Sequence, residues 1–112
     1  YMKIAGGSRE AAYAIYSSYL NSEDEKVHAQ AVLRLEQLRS LDEMDVLNRL
    51  LAEYRKATGQ CPPDLTVLAP RLRAMKFELN QDQLLLDPEG FPYELDKESC
   101  AAKLMHNSLV PR

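Results

Sequence analysis

The stretch LNRLLAEYRKATGQCPPDLTVL, residues 47–68, decides the fold expected for this chain. Its first half places four apolar residues at helical spacing on one stripe: Leu47, Leu50, Leu51 and Tyr54. Gly59 frees φ at the end of that helix, and Pro62 and Pro63 prevent the helix from continuing. The stretch therefore predicts a helix that ends near residue 58, followed by an extended exit and a helical turn. In that turn Leu65 and Leu68 pack back on the stripe.

Two further helices are predicted upstream. Apolar residues at 12, 15, 16, 19 and 20 form one face of a first helix over residues 8–20, with Ser8 as its N-cap. A capping box at Ser22 starts a second helix that reaches Arg39. A second capping box at Ser40 starts the third helix, over residues 41–58.

One unbroken helix over residues 22–58 is the alternative to the last two helices. The break at Ser40 is preferred, because the apolar stripe of the second helix, continued at helical spacing, meets Asp42, Asp45 and Arg49. Charged residues at those positions would otherwise face the apolar interior.

Downstream of Gly59 the chain is punctuated by prolines. Residues 71–75 suit a further helical turn. The segment from Asp87 to Gly90 has the chemistry of a β-turn, with Asp first, Pro88 second and Gly fourth. Residues 93–95 and 100–104 then read as two strands of a small β-hairpin, with Tyr93 covering the core. The predicted fold class is mainly α, with three antiparallel helices and a small, partly irregular C-terminal β-hairpin cap.

Composition limits the function classes. The 112 residues are 46% apolar and 28% charged, with a formal net charge of −3. These values exclude a disordered chain and a disulfide miniprotein, and they give no long-range attraction to nucleic acid. No window of 18 apolar residues occurs, so we expect no direct membrane insertion by this segment.

Both ends of the chain suggest a piece of a larger bacterial protein. The start at Tyr1 runs into a loop-like Ile4-Ala5-Gly6-Gly7 sequence, and no signal peptide is recognisable. The final Leu-Val-Pro-Arg, residues 109–112, reads as a thrombin-site remnant, so residues 105–112 are interpreted as an expression tag outside the fold. The expected organisation is a helical part over 1–58 and a cap over 59–104, packed on the third helix as one domain.

The two cysteines, Cys61 and Cys100, lack the local spacing and the partners of a zinc site. Isolated cysteines are usually small, buried apolar groups. A single disulfide that joins the two C-terminal segments is the alternative. Both interpretations stay open at this point.

The first helices resemble tetratricopeptide-type helical hairpins. The resemblance rests on small residues among aromatic ones over residues 8–58: Ala11, Ala12, Tyr13, Tyr16, Ala29 and Ala31. The opening motif of that repeat and its closing proline are absent. The resemblance implies a solenoid edge and protein–protein binding.

The segment over residues 50–95 is similar to the soluble part of the major pseudopilins of type II secretion. The motifs are Tyr54, Gly59-x-x-Pro62 and Asp87-Pro88-x-Gly90-x-Pro92-Tyr93. The resemblance implies a helix, a turn and a hairpin in that order. The long apolar N-terminal helix and the acidic calcium loop of such pilins are missing, so neither filament assembly nor calcium binding is carried over. A membrane-anchored or periplasmic parent protein is compatible with this likeness, and the residues leave the compartment open.

No catalytic constellation is recognisable. His28 is the one histidine outside the predicted tag, residues 105–112, and no partner of matched chemistry lies near it in sequence. We therefore expect no enzyme, no cofactor and no metal, but a protein-interaction or scaffold module with a protein partner. The candidate contact surface is Tyr13, Tyr16 and Tyr19, because tyrosine is a favoured interface anchor. A pseudopilin-like secretion or pilus component is the alternative.

Overall fold

The computed structural model describes the backbone of residues 6–112 and the side chains of residues 9–112. Its elements are α1 (Gly6–Tyr19), α2 (Glu25–Thr58), a 3-10 turn (Leu65–Leu68), α3 (Ala69–Ala74), β1 (Glu94–Asp96) and β2 (Ala101–Lys103). The predicted fold class is confirmed: the chain is mainly α, with three helices and a small antiparallel hairpin. Several predicted boundaries are wrong, and the reasons are physical.

Helices α1 and α2 form an antiparallel hairpin. α1 begins at Gly6, before the predicted N-cap Ser8, whose side chain lies outside the described residues, as do Ile4 and Ala5. α2 begins at Glu25 rather than next to Ser22. Its N-cap is Asp24, whose carboxylate accepts hydrogen bonds from the backbone N–H groups of the second and third helical residues.

The predicted break at Ser40 is wrong, because α2 runs unbroken over 34 residues. The Ser40 hydroxyl donates to the carbonyl of Gln37, 2.8 Å away, and so bonds back into its own helix instead of capping a new one. Asp42 and Asp45, which argued for the break, both accept hydrogen bonds from Arg9 of α1. The charges on the stripe thus face a cation on the neighbouring helix and need no break.

The end of α2 follows the prediction. Gly59 has φ of +78° and its N–H donates to the carbonyl of Arg55, which closes the last turn of the helix. The chain then passes through the buried Pro62 to the predicted helical turn, where Leu65 and Leu68 are buried. Asp64 caps this turn by accepting from the Thr66 N–H.

The turn and the hairpin also follow the prediction. The Gly90 N–H donates to the Asp87 carbonyl at 3.0 Å, and Gly90 has φ of +90°. β1 and β2 pair in antiparallel register, with Leu95 opposite Ala102. The Ala102 N–H donates to the side-chain oxygen of Asn48, so α2 satisfies the edge of β2 that β1 leaves open.

The hydrophobic core lies on the C-terminal half of α2. Its buried members come from α2, the 3-10 turn, α3 and the cap: Leu47, Leu50, Leu51, Leu65, Leu68, Leu72, Leu85, Tyr93, Cys100 and Ala102. Tyr54 belongs to the predicted stripe but is only half-buried, and it lies outside this cluster. The expectation that Tyr54 is a core residue is therefore wrong.

Residues 105–112 do not stand apart from the fold. Ser108 and Val110 are buried, and the Ser108 hydroxyl donates to Asp87 at 2.6 Å. The prediction that these residues lie outside the fold is therefore wrong, and local sequence could not show this. The partner of Ser108, Asp87, lies 21 residues away.

Cys61 and Cys100, which are 39 residues apart, form a disulfide. Of the two interpretations left open by the sequence, the disulfide is therefore confirmed and the pair of free buried cysteines is wrong. The bond joins the exit from α2 to the start of β2. It therefore closes the cap onto the long helix.

Removal of the disulfide is expected to cost the cap much of its stability. On a chain-entropy basis, a loop of this length stabilises the folded state by about 4 kcal/mol. We expect Cys61→Ser/Cys100→Ser to lower the free energy of unfolding by that order in urea titrations. A loss below about 1 kcal/mol, the scale of an ordinary surface substitution, would contradict the assignment.

A pair of truncations on α2 tests where the core ends. Leu51→Ala is expected to cost about 2–5 kcal/mol, because Leu51 is fully buried. Tyr54→Ala is expected to cost less, because the ring is half-exposed. Equal losses for the two variants in chemical denaturation would show that the core extends to Tyr54.

Candidate functional site

The hairpin of α1 and α2 carries most of the exposed large apolar side chains among the described residues. Five of the eight lie there: Ile15, Tyr19, Val27, Val32 and Leu33. The buried core lies at the other end of α2, and the other three exposed apolar side chains, Val67, Met75 and Leu109, lie outside the hairpin. An apolar surface gathered on one end of a molecule is the usual mark of a protein contact.

The three predicted contact tyrosines divide into two roles. The Tyr13 hydroxyl donates to the carboxylate of Asp42, 2.7 Å away, so Tyr13 ties α1 to α2. Burial, and then the bond to Asp42, raise the pKa of Tyr13 above its usual range. Tyr13 is therefore part of the scaffold beneath the surface.

Tyr16 and Tyr19 contact each other on α1, and of the two Tyr16 is half-buried and Tyr19 is exposed. Their rings meet edge to face with centroids 6.1 Å apart, an arrangement that favours both rings. Tyr19 is 46% exposed.

A groove of about 280 Å³ lies beside these rings. Its walls come from α1 and the first turns of α2: Tyr16, Tyr19, Lys26, Val27, Gln30 and Ala31. Lys26 contributes the one charged group of the lining. We call this surface the tyrosine groove.

A cluster of charged residues that local sequence did not predict anchors α1 to α2. Arg9 donates from one nitrogen to Asp42 at 2.7 Å and to Asp45 at 2.6 Å. These hydrogen bonds raise the pKa of Arg9 further, and its side chain is only 17% exposed. The pair of acids on the apolar stripe was the signal that could have pointed to a cation on another helix.

The residues of the pseudopilin-like motifs shape the exit from α2, the core and the Asp87 turn. Gly59 and Pro62 shape the exit from α2, and Tyr93 is buried in the core with its hydroxyl bonded to Glu43 at 2.6 Å. Asp87 accepts from the N–H groups of Glu89 and of residue 91 and so holds the turn that contains Pro88, Gly90 and Pro92. These residues do not come together with the tyrosines; they lie at the core end.

His28, the histidine considered in the sequence, lies at the start of α2. His28 Nδ1 lies 2.9 Å from the carbonyl of Leu20, so His28 links the loop between the helices to α2. No group of three or more potential ligand side chains suited to a metal ion occurs among residues whose positions are described. Within the same residues, no helix has the length and apolar character needed to cross a membrane.

Comparison with known proteins gives no match, whether to family models, to curated proteins or to solved structures.

The anchor between α1 and α2 can be tested directly. Asp42→Ala removes an acceptor from both Arg9 and Tyr13, at about 1 kcal/mol for each lost hydrogen bond. We expect amide hydrogen exchange in α1 to accelerate while exchange around Leu51 stays slow. Glu53→Ala, which breaks the exposed ion pair with Arg71, is the matched control and should leave α1 unchanged. Unchanged hydrogen exchange in α1 of the Asp42 variant would show that the bonds of Asp42 to Arg9 and Tyr13 do not hold α1 against α2.

Proposed function

We propose that this chain is a non-enzymatic protein-interaction module that binds a protein partner through the tyrosine groove. The observation that carries the proposal is the concentration of exposed apolar groups on the hairpin, away from the core. A pair of tyrosines in edge-to-face contact beside an apolar groove suits a protein contact, because tyrosine supplies large contact area at a small cost in side-chain entropy.

The anchor between α1 and α2 supports the same proposal. Arg9, Asp42 and Tyr13 hold α1 against α2 by hydrogen bonds that do not use the outer face of α1. A surface held in place before binding loses less entropy when a partner binds. The disulfide between Cys61 and Cys100 further supports a parent protein that folds in an oxidising compartment, such as the periplasm.

A second candidate is a pseudopilin-like component of a secretion or pilus system. The observation that favours it is the unbroken α2, which is followed by the Asp87 turn and the β-hairpin. That order of elements is the one the resemblance implies. In this case the partners at the groove are further copies of the chain or related subunits.

Site-specific photo-crosslinking tests the proposed surface. A benzophenone amino acid at position 19 is expected to crosslink one discrete protein in the producing cells, and the same group at position 67 is not. Residue 67 is the control because Val67 is an exposed apolar residue at the core end. A product made only of this chain would favour the pseudopilin-like candidate.

The affinity of the purified chain for the partner identified by crosslinking is then compared between two variants. Tyr19→Ser should weaken binding about 30-fold, the effect of losing a contact worth about 2 kcal/mol. Val67→Ser should leave the Kd unchanged. Equal effects of the two substitutions, or crosslinking at position 67 alone, would place the contact elsewhere and overturn the proposal.

A further inference from the structure

Two grooves share one face of α2. The tyrosine groove includes Lys26 and Gln30 of that face. A second groove, of about 450 Å³, lies between α2, β2 and the C-terminal segment, and we call it the strand groove. Its walls include three residues of α2 and three from the opposite side: Gln37, Ser40, Met44, Ala102, Lys103 and Arg112.

The α2 residues of the two grooves form a single row with the spacing of a helix-packing seam. Steps of four and three residues alternate along this row: Lys26, Gln30, Leu33, Gln37, Ser40 and Met44. This is the heptad spacing at which one helix packs along another. Leu33 lies between the two grooves and is 40% exposed. At 1.5 Å per residue, the row is about 27 Å long.

The two grooves suit a helix better than an extended peptide. Backbone groups within α1 and α2 are already paired inside those helices, and the Ala102 N–H of β2 donates to Asn48. The backbone of an extended segment laid along the row would therefore lose its hydrogen bonds to water without replacement. A helix satisfies its own backbone and presents only side chains. The element that fits is an α-helix with an apolar stripe.

The charges of the grooves define the polar side of that helix. Every charged residue that lines either groove is a cation: Lys26 in the tyrosine groove, and Lys103 and Arg112 in the strand groove. None of the three has an ion-pair partner among the side chains that the structure describes. By contrast, the groove that includes Glu36 and Arg39 has one charge of each sign. The cationic lining favours an occupant with carboxylates beside its apolar stripe.

A second copy of this chain does not supply such a helix. In α1 the single acid, Glu10, is accompanied by the cation Arg9, and α2 has as many cations as acids. Neither helix is acidic as a whole, so neither complements a cationic groove. Charge complementarity therefore favours a helix of a different protein.

We propose that this face of α2 binds an acidic amphipathic helix of a partner protein, which lies along α2 from the tyrosine groove to the strand groove. The apolar stripe of the partner helix packs on Leu33 and Met44. Its acidic side chains face Lys26 at one end and Lys103 at the other. This inference rests on the proposed function, because it uses the tyrosine groove; it adds the strand groove and the chemistry of the partner.

Mapped photo-crosslinks test the path of the partner helix. A benzophenone amino acid is placed at position 19, 33 or 37 of the full chain in the producing cells, and the crosslinked residues of the partner are identified by mass spectrometry. Positions 19 and 37 line the two grooves, and position 33 lies between them. The three crosslinks should fall in one partner segment of about 15 residues, with the site from position 33 between the other two.

The other outcomes separate this inference from the proposed function. Crosslinks from position 19 alone, or from the three positions to unrelated segments, would overturn the partner helix and leave the tyrosine groove as a contact. Crosslinks from none of the positions would overturn both. Crosslinks that map onto this chain itself would show that a second copy is the occupant and would also overturn the partner helix.

The crosslinked segment, made as a synthetic peptide, tests the charge requirement. It should contain acidic residues, gain helical circular dichroism when it binds the purified chain, and bind more weakly as salt is added. Lys26→Glu and Lys103→Glu should each raise the Kd of the peptide about 10-fold, because like charges then face each other.

Lys97→Glu is the matched control for these substitutions. Lys97 is an exposed cation that lines neither groove, so this variant should keep the Kd of the unmodified chain. A peptide without acidic residues, a peptide that stays unstructured when bound, or equal Kd values for all three variants would overturn the acidic helix.

Discussion

Helix α2 carries one apolar stripe that packs against the cap at its C-terminal half and against α1 at its N-terminal half. The positions of the other elements depend on this packing. Its C-terminal half contributes Leu47, Leu50 and Leu51 to the core under the cap. Its N-terminal half packs against α1, and the buried apolar residues of that half are Ala31 and Leu38. The longest dimension of the molecule, 51 Å, matches a straight helix of 34 residues at 1.5 Å per residue.

The two halves are held in different ways. The core end relies on leucines whose apolar surface is buried away from water. It also relies on the Cys61–Cys100 disulfide, which lowers the conformational entropy of the unfolded chain. The hairpin end relies on Arg9, shared between two aspartates, and on the bond from Tyr13. Polar anchors leave apolar side chains on the outer face uncovered. For that reason the exposed apolar surface is found on the hairpin.

Local chemistry made part of the fold predictable. The end of α2 at Gly59 and the turn at Asp87 each depend on residues within a few positions of one another, and both could be predicted. The β-hairpin turns at residues 97–100, outside that turn, and its two strands were predicted from the sequence to within a residue or two. The break predicted at Ser40 failed because the evidence for it, Asp42 on the apolar stripe, is satisfied by a residue 33 positions away. The disulfide and the contact between Ser108 and Asp87 are non-local in the same sense.

For the candidate site, the spacing of the tyrosines located the surface on α1 but could not assign individual roles. Tyr13 and Tyr19 differ only in which side of the helix meets α2, and that depends on the packing angle of the hairpin.

The continuity of α2 is thus the central claim, and a distance along it tests the claim most directly. Spin labels on ketone-bearing residues at positions 26 and 56, which leave the disulfide intact, would be separated by 30 residues of helix. Pulsed electron resonance should then give one narrow distance of about 45 Å. A distance of about 20 Å, or a broad distribution, would mean that the helix breaks near Ser40 and would contradict the account.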